Sequence, residues 1–199
     1  MNNGKPKIGI LALQGDFEAH GRALARAGAD PVEVRGAQDL DAVDGLVIPG
    51  GESTTMLKLL REENLFDALR SFGQRKPVFG TCAGAILLAS EVSHPAQESL
   101  ALMDIGVERN GYGRQVDSCI TQLEPAEKSR LTDEDIEAVF IRAPIIRRVG
   151  KEVHVLAKYR EDPVLVEQGR HLVATFHPEL TADPRVHQLF LEKVRQNRE

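Results

Sequence analysis

The stretch Lys76-Pro77-Val78-Phe79-Gly80-Thr81-Cys82-Ala83-Gly84-Ala85-Ile86-Leu87-Leu88-Ala89 decides how this chain folds. The apolar residues after Pro77 suit a buried strand, and Ala85 to Ala89 suit a helix. Between them lies a Gly-x-Cys-x-Gly turn, Gly80 to Gly84. Flanking glycines let the backbone turn sharply and lift the central side chain above a sheet, as in a nucleophile elbow. A free cysteine is ordinarily a small buried hydrophobe. Cys82, however, is followed by a helix N-terminus, whose partial positive charge suits a nucleophilic sulfur. Cys82 is therefore the candidate nucleophile.

Phe176-His177-Pro178-Glu179-Leu180 supplies what such a sulfur needs. On an extended chain, side chains two residues apart point the same way, so Glu179 is expected to reach the imidazole of His177. Nucleophile, base and orienter together make an acyl-transfer triad. The other histidines (His20, His94, His154, His171, His187) take the default structural or surface role. Cys119, in an expected strand, is taken as a packed thiol.

Outward from the elbow, short apolar runs alternate with helical patterns. Lys7 to Leu13, Pro31 to Arg35 and Gly45 to Ile48 read as strands. Asp16 to Ala27, Thr54 to Arg61 and Leu65 to Phe72 read as helices, with Ser53 or Thr54 as N-cap of the second. This alternation predicts an α/β fold with a mostly parallel sheet and helices on both faces. The second half adds expected strands at 105–109, 115–123, 138–142, 153–159, 163–167 and 171–176. Two of them, Val164-Leu165-Val166 and Leu172-Val173-Ala174, suggest a hairpin. A last helix from Pro184 to about Gln196 is expected to start from Asp183 or Thr181. Asp133-Glu134-Asp135 is read as a solvated acidic loop.

In open α/β sheets, sites form beyond the carboxyl ends of the strands. Four strand ends carry suggestive residues: Gln14-Gly15, Gly50-Gly51-Glu52-Ser53, Cys82 and His177. Adjacent glycines at 50 and 51 allow backbone N–H groups to approach a ligand. Such a group, with the N–H of Ala83, suits an oxyanion hole. The turn lacks the Gly-Lys-Ser/Thr ending of a phosphate-binding Walker loop.

The 199 residues fit one domain, residues 1–199. A formal charge of -5 without a basic cluster argues against nucleic acid. No apolar run approaches the ~20 residues of a membrane helix. Two cysteines, one of them in the elbow, argue against a disulfide framework and for a reducing cytoplasm. No His and Cys set has metal-ligand spacing, so no metal is expected.

Longer strings then carry a resemblance. These are Leu13-Gln14-Gly15, Pro49 to Met56, Phe79 to Gly84, Val107-Glu108-Arg109-Asn110, Gly113 to Ser118, Phe140-Ile141-Arg142-Ala143-Pro144 and Phe176 to Thr181. Together they resemble class I glutamine amidotransferases, and within them the glutaminase subunits of pyridoxal 5′-phosphate synthase. The resemblance implies a three-layer flavodoxin-like fold and hydrolysis of L-glutamine by Cys82, His177 and Glu179. It implies glutamine contacts at Gly51, Glu52, Ser53, Arg109, Ile141 and Arg142, with Gly51 and Ala83 as oxyanion donors. From the residues alone, Arg109 and Arg142 are equally suited to a substrate carboxylate or to surface ion pairs. The resemblance further implies a (β/α)₈-barrel synthase partner in a large hetero-oligomer, and low activity until docking orders the oxyanion hole. No cofactor is expected, since pyridoxal 5′-phosphate would be the product of the complex. Other readings stay open: the glutaminase of another amidotransferase, such as imidazole glycerol phosphate synthase, a thiol hydrolase of related fold, or a non-catalytic binding subunit.

Overall fold

In a computed structural model of the chain, Leu46 and Ile48 of β3 (Gly45–Ile48) enter one hydrophobic cluster and Val47 enters another. β1 (Lys7–Leu11) divides in the same way, with Leu11 on the first side and Ile8 and Ile10 on the second. Side chains alternate along a strand, so strands that are apolar throughout need cover on both faces. The first face is covered by α2 (Ser53–Glu62), α3 (Phe66–Gly73) and α4 (Ala83–Leu88), through Met56, Leu60, Leu69, Phe72 and Leu87. The second is covered by α1 (Phe17–Arg26) and α5 (Arg185–Arg198), through Leu24, Leu189, Phe190 and Val194. This is the expected three-layer arrangement. The structure describes residues 4–109, 118–126, 131 and 134–198. Asn110 and residues 113–117 of the family strings, and Asp133 of the acidic run, lie outside the described residues.

The central sheet completes the layers with β2 (Asp30–Val34), β4 (Val78–Thr81), β10 (His154–Tyr159), β11 (Asp162–Gln168) and β12 (His171–Ala174). Its order is β10-β11-β12-β4-β3-β1-β2. From β12 to β2 all neighbours are parallel, whereas β10 and β11 are antiparallel additions. The expected hairpin is β11–β12, with Val166 opposite Val173. The parallel order has one consequence for function. β12, β4, β3 and β1 lie side by side, so their carboxyl ends share one edge.

Two strands depart from the sequence expectation: β5 (Ala89–Ser93) and β9 (Ile145–Val149). They flank β6 (Met103–Glu108) in a small sheet. β5 follows directly on the apolar run of α4, and β9 carries two adjacent arginines, so neither shows strand periodicity. Their charge is met across strands: Arg148 donates to Asp104 at 2.7 Å and to Glu91 at 3.3 Å. β7 (Ser118–Leu123) and β8 (Ile136–Ile141) form a separate antiparallel pair. Cys119 lies half-buried against the second cluster, as expected of a packed thiol.

Candidate active site

The elbow forms where β4 ends. Cys82 has φ 48°, a left-handed conformation that non-glycine residues adopt uncommonly, and it precedes the first turn of α4. Its own N–H donates to Ala174 O at the end of β12, 2.9 Å away, which fixes the turn to the neighbouring strand. A Cβ on Gly84 would stand 2.1 Å from Ile48 O, so only glycine lets α4 come this close to β3. Ala83 is the first residue of α4, and the N–H groups of a first helical turn have no acceptor within the helix. Cys82 is 7% exposed, and its Sγ lies 3.9 Å from Ile141 O.

His177 follows β12, and its N–H donates to Val139 O of β8 at 2.8 Å. The chain here is not extended as expected. Pro178, whose fixed φ suits the first position of a helical turn, opens a 3₁₀ turn over Pro178–Leu180. That turn, rather than strand alternation, brings Glu179 back onto the ring: Nδ1 of His177 lies 2.7 Å from Glu179 Oε1. The other side of the ring meets the sulfur. Burial pushes the His177 imidazole down, but hydrogen bonds with Cys82 and Glu179 outweigh it and raise it to about 10. His177 therefore holds a proton at neutral pH. Glu179 and His177 are both 5% exposed, so the pair is nearly sealed from solvent.

The four strand ends meet as the sheet order requires. A Cβ on Gly50 would fall 2.5 Å from His177 Cε1 and 3.3 Å from Cys82 Cβ. One on Gly15 would fall 1.7 Å from Gly50 O. Gly51, at φ 149°, lies against the side-chain amide of Gln14. The carboxylate of Asp16 comes within 4.8 Å of the facing ligand atoms of His177 and Glu179. That trio is the group among the described residues with metal-binding spacing, although the imidazole and Glu179 already engage each other.

The remaining candidate residues divide. Glu52, not Ser53 or Thr54, is the N-cap of α2. Its longer carboxylate spans both free donors, accepting from Thr54 N at 3.0 Å and Thr55 N at 2.7 Å. Slight burial pushes Glu52 up, but these hydrogen bonds prevail and hold it at about 2. Arg109 lies beside this cap, donating to Thr54 Oγ1 at 2.8 Å, with Glu52 Oε1 at 3.5 Å. The Ser53 hydroxyl is turned to Gln97, 3.0 Å away. Ile141 presents its carbonyl to Cys82, and the exposed Arg142 adopts φ 43° beside it. Glu52 and Arg109 thus lie together at the N-terminus of α2, and the Ile141 carbonyl lies at the Cys82 sulfur.

Sequence reasoning assigned His20 and His187 a default role. Both are fully buried. His20 of α1 stands 3.3 Å from Glu179 Oε2, 3.0 Å from Thr81 Oγ1 and 3.1 Å from His187 of α5. The signal available in the sequence is slight: His20 falls on the buried stripe of α1 with Ala19, Ala23 and Leu24. His94 and His154 are exposed, and His171 is buried where it accepts from Val78 N at 3.3 Å.

Comparison with known proteins agrees with this geometry. The SNO glutamine amidotransferase family model matches residues 10–196. A protein of Solibacter usitatus (strain Ellin6076), named pyridoxal 5′-phosphate synthase subunit PdxT, is 64% identical over 190 residues. That match spans 94% of this chain and 99% of the relative. A protein of the same name from Koribacter versatilis (strain Ellin345) is 56% identical over 189 residues, 95% of this chain and 96% of its own. Among solved structures, a glutamine amidotransferase superposes with a TM-score of 0.86 at 46% identity, covering 94% of this chain and 98% of its own. PurLQS from Thermotoga maritima superposes with a TM-score of 0.67 at 18% identity, covering 97% of each chain, which shows a common fold. With a matched model over nearly its whole length and the Cys82 elbow, His177 and Glu179 assembled at one sheet edge, the chain belongs to the SNO glutamine amidotransferase family.

Proposed function

We propose that this chain is the glutaminase subunit of a pyridoxal 5′-phosphate synthase, releasing ammonia from L-glutamine for a synthase partner. The observation that carries this reading is the buried line from the Cys82 sulfur through the His177 ring to Glu179 Oε1. The names of its relatives supply the synthase context.

With the Cys82 proton already resting on His177, the sulfur attacks the side-chain amide carbon of glutamine. The C–S bond forms, and the carbonyl electron pair moves to oxygen. Backbone N–H groups of Ala83 and Gly51 receive that oxyanion, a contribution of about 3 kcal/mol per donor. His177 then gives its proton to the amide nitrogen as the C–N bond breaks and ammonia leaves. Water loses a proton to His177, adds to the thioester, and expels the sulfur, and the proton stays on His177 as in the resting site. Glutamate is the second product. Glu179 keeps Nδ1 protonated, so Nε2 faces the sulfur throughout. Glu52, Ser53, Arg109, Ile141 and Arg142 bind the amino-acid end of glutamine. Arg109 lies with the Glu52 cap, so substrate carboxylate would compete with Glu52 for its guanidinium.

The scheme uses side chains and water and needs no cofactor; pyridoxal 5′-phosphate belongs to the product side of the complex. Ammonia protonates in water and loses nucleophilicity, which calls for a tightly docked acceptor. By family resemblance that acceptor is a (β/α)₈ barrel, in a cytoplasmic hetero-oligomer. Among the described residues, no helix is long and apolar enough to cross a membrane. The Gly50–Gly51 peptide is suited to reorient on docking, because glycine tolerates either orientation.

Glutamate release, measured with and without the barrel subunit, tests the proposal. Turnover is expected to rise on docking and to vanish in Cys82→Ala. Substantial turnover in Cys82→Ala would reject the covalent route. Equal rates with and without the partner would reject the docking switch.

A further inference from the structure

Behind the triad lies a second polar cluster, contributed by four elements and sealed from solvent. α1 supplies His20, β4 supplies Thr81, α5 supplies His187, and the 3₁₀ turn supplies Glu179. His20, Thr81 and His187 have no exposed surface, and neither does the side chain of Glu179. Burying this many polar groups among Phe79 and Phe190 is unfavourable unless their protons are arranged to match.

One arrangement of ring protons suits these contacts best. Glu179 is a carboxylate and only accepts. Its Oε1 is held by His177, while Oε2 is buried and accepts no hydrogen bond of good geometry. Nε2 of His20 stands 3.3 Å from Oε2 and 3.0 Å from Thr81 Oγ1. A lone pair at Nε2 would face the carboxylate and repel it, so Nε2 carries the proton. Nδ1 of His20 is then bare and accepts from Nε2–H of His187 across 3.1 Å. That leaves Nδ1 of His187 as a lone pair, and this is the atom of His187 that finds no partner. The opposite tautomers would strand a buried N–H there, the costlier outcome.

We infer that His20, held by His187 and with Nε2–H facing both Thr81 Oγ1 at 3.0 Å and Glu179 Oε2 at 3.3 Å, is a positioning residue that keeps the Glu179 carboxylate on His177. The triad thus runs on into the interior as Cys82, His177, Glu179, His20 and His187, from the sheet edge to the packing of α1 on α5. The proposal rests on the glutaminase reading only for its activity measurements. Burial, and after it the His187 and His177 rings, holds His20 well below its ordinary value, which keeps it neutral. His187 is likewise lowered, to about 4, by burial and then by Arg26. The titratable groups facing His20 are therefore Glu179, His177 and His187, with Arg26 acting through His187.

Two isosteric substitutions separate positioning from mere packing. The amide of His20→Gln reaches the place of Nε2 and retains a donor for Glu179. That of His20→Asn reaches only the place of Nδ1, keeps contact with His187 and withdraws the donor. Loss of the outer hydrogen-bond partner of a metal-ligating histidine costs about ten- to a hundredfold, and a similar scale is expected for this catalytic one. In the complex with the barrel subunit, His20→Asn is expected to lose at least about tenfold in kcat with KM little changed. In the same variant, the NMR titration midpoint of His177 should fall from about 10 toward its ordinary value of 6.5. His20→Gln should restore most of both. Equal behaviour of the two variants, at wild-type values or equally impaired, would overturn the assignment. The wild-type protein gives an independent check: imidazole nitrogen shifts should show His20 as the Nε2–H tautomer, and the Nδ1–H tautomer would overturn it as well. If the wild-type complex does not hydrolyse glutamine, the glutaminase reading fails, while the tautomer and the His177 midpoint still decide the role of His20.

Discussion

Cys82 and Glu179 together set the charge of His177. The ring is buried, which by itself would expel its proton, yet contacts with Cys82 and Glu179 raise it to about 10. Glu179→Gln keeps the shape and removes the charge. The His177 midpoint should drop on NMR titration, and glutamine turnover should fall by about a hundredfold or more, as for other triads that lose the orienting carboxylate. The same raised value links to stability. The folded chain holds this proton more tightly than the unfolded one, whose imidazole titrates near 6.5. The contribution is full below pH 6.5 and disappears as pH rises through about 10. Thermal melts of wild type and His177→Gln should therefore converge at high pH, and a constant gap would contradict the linkage.

At the scale of elements, two local devices hold the site. Glu52 caps α2 through the N–H groups of Thr54 and Thr55. Replacing a good N-cap costs about 1 kcal/mol, so Glu52→Ala should lower the unfolding free energy by that amount, moving the urea midpoint down without changing the slope. Glu52 is also placed at the amino-acid end of glutamine, so in the same variant KM for glutamine should rise more than kcat falls. Gly50 is the second device. Its missing Cβ is the space that the His177 ring fills, since an added methyl would come within 2.5 Å of Cε1. In Gly50→Ala the ring must give way. The variant should fold, with a loss of about 1–3 kcal/mol from overpacking, and lose most of its glutaminase activity. Retained activity would show that the ring has freedom the packing denies it.

The whole molecule responds to acid through its interior histidines. His171 and His187 are held near 4 by burial, against 6.5 in the unfolded chain. His20 is lowered in the same direction. Unfolding therefore takes up protons between pH 6.5 and 4, and stability should decline across that window as pH falls. Melting temperature followed from pH 7 downward measures this decline. His187→Leu should flatten it, because that variant has one fewer buried base to protonate.

The elbow, the strand–helix alternation and the Gly50–Gly51 turn were legible because each depends on neighbours in sequence. Local backbone chemistry forces a strand at Val78 to Thr81 and a turn at Cys82, and it fixes which residues alternate. β5 and β9 were not legible, because the charges of Glu91, Asp104 and Arg148 are satisfied only across a sheet. The extended geometry expected at His177 gave way to a 3₁₀ turn, for Pro178 starts a helical turn as readily as it extends a strand. By itself the sequence determined the layers and singled out Cys82, His177 and Glu179 as the candidate triad, through hydrophobic period and turn chemistry. Tertiary structure alone decided which strand ends share an edge, and how His20 and His187 come to stand behind Glu179. Such contacts join α1, β4 and α5 across most of the chain, and no local pattern carries information about a partner that distant.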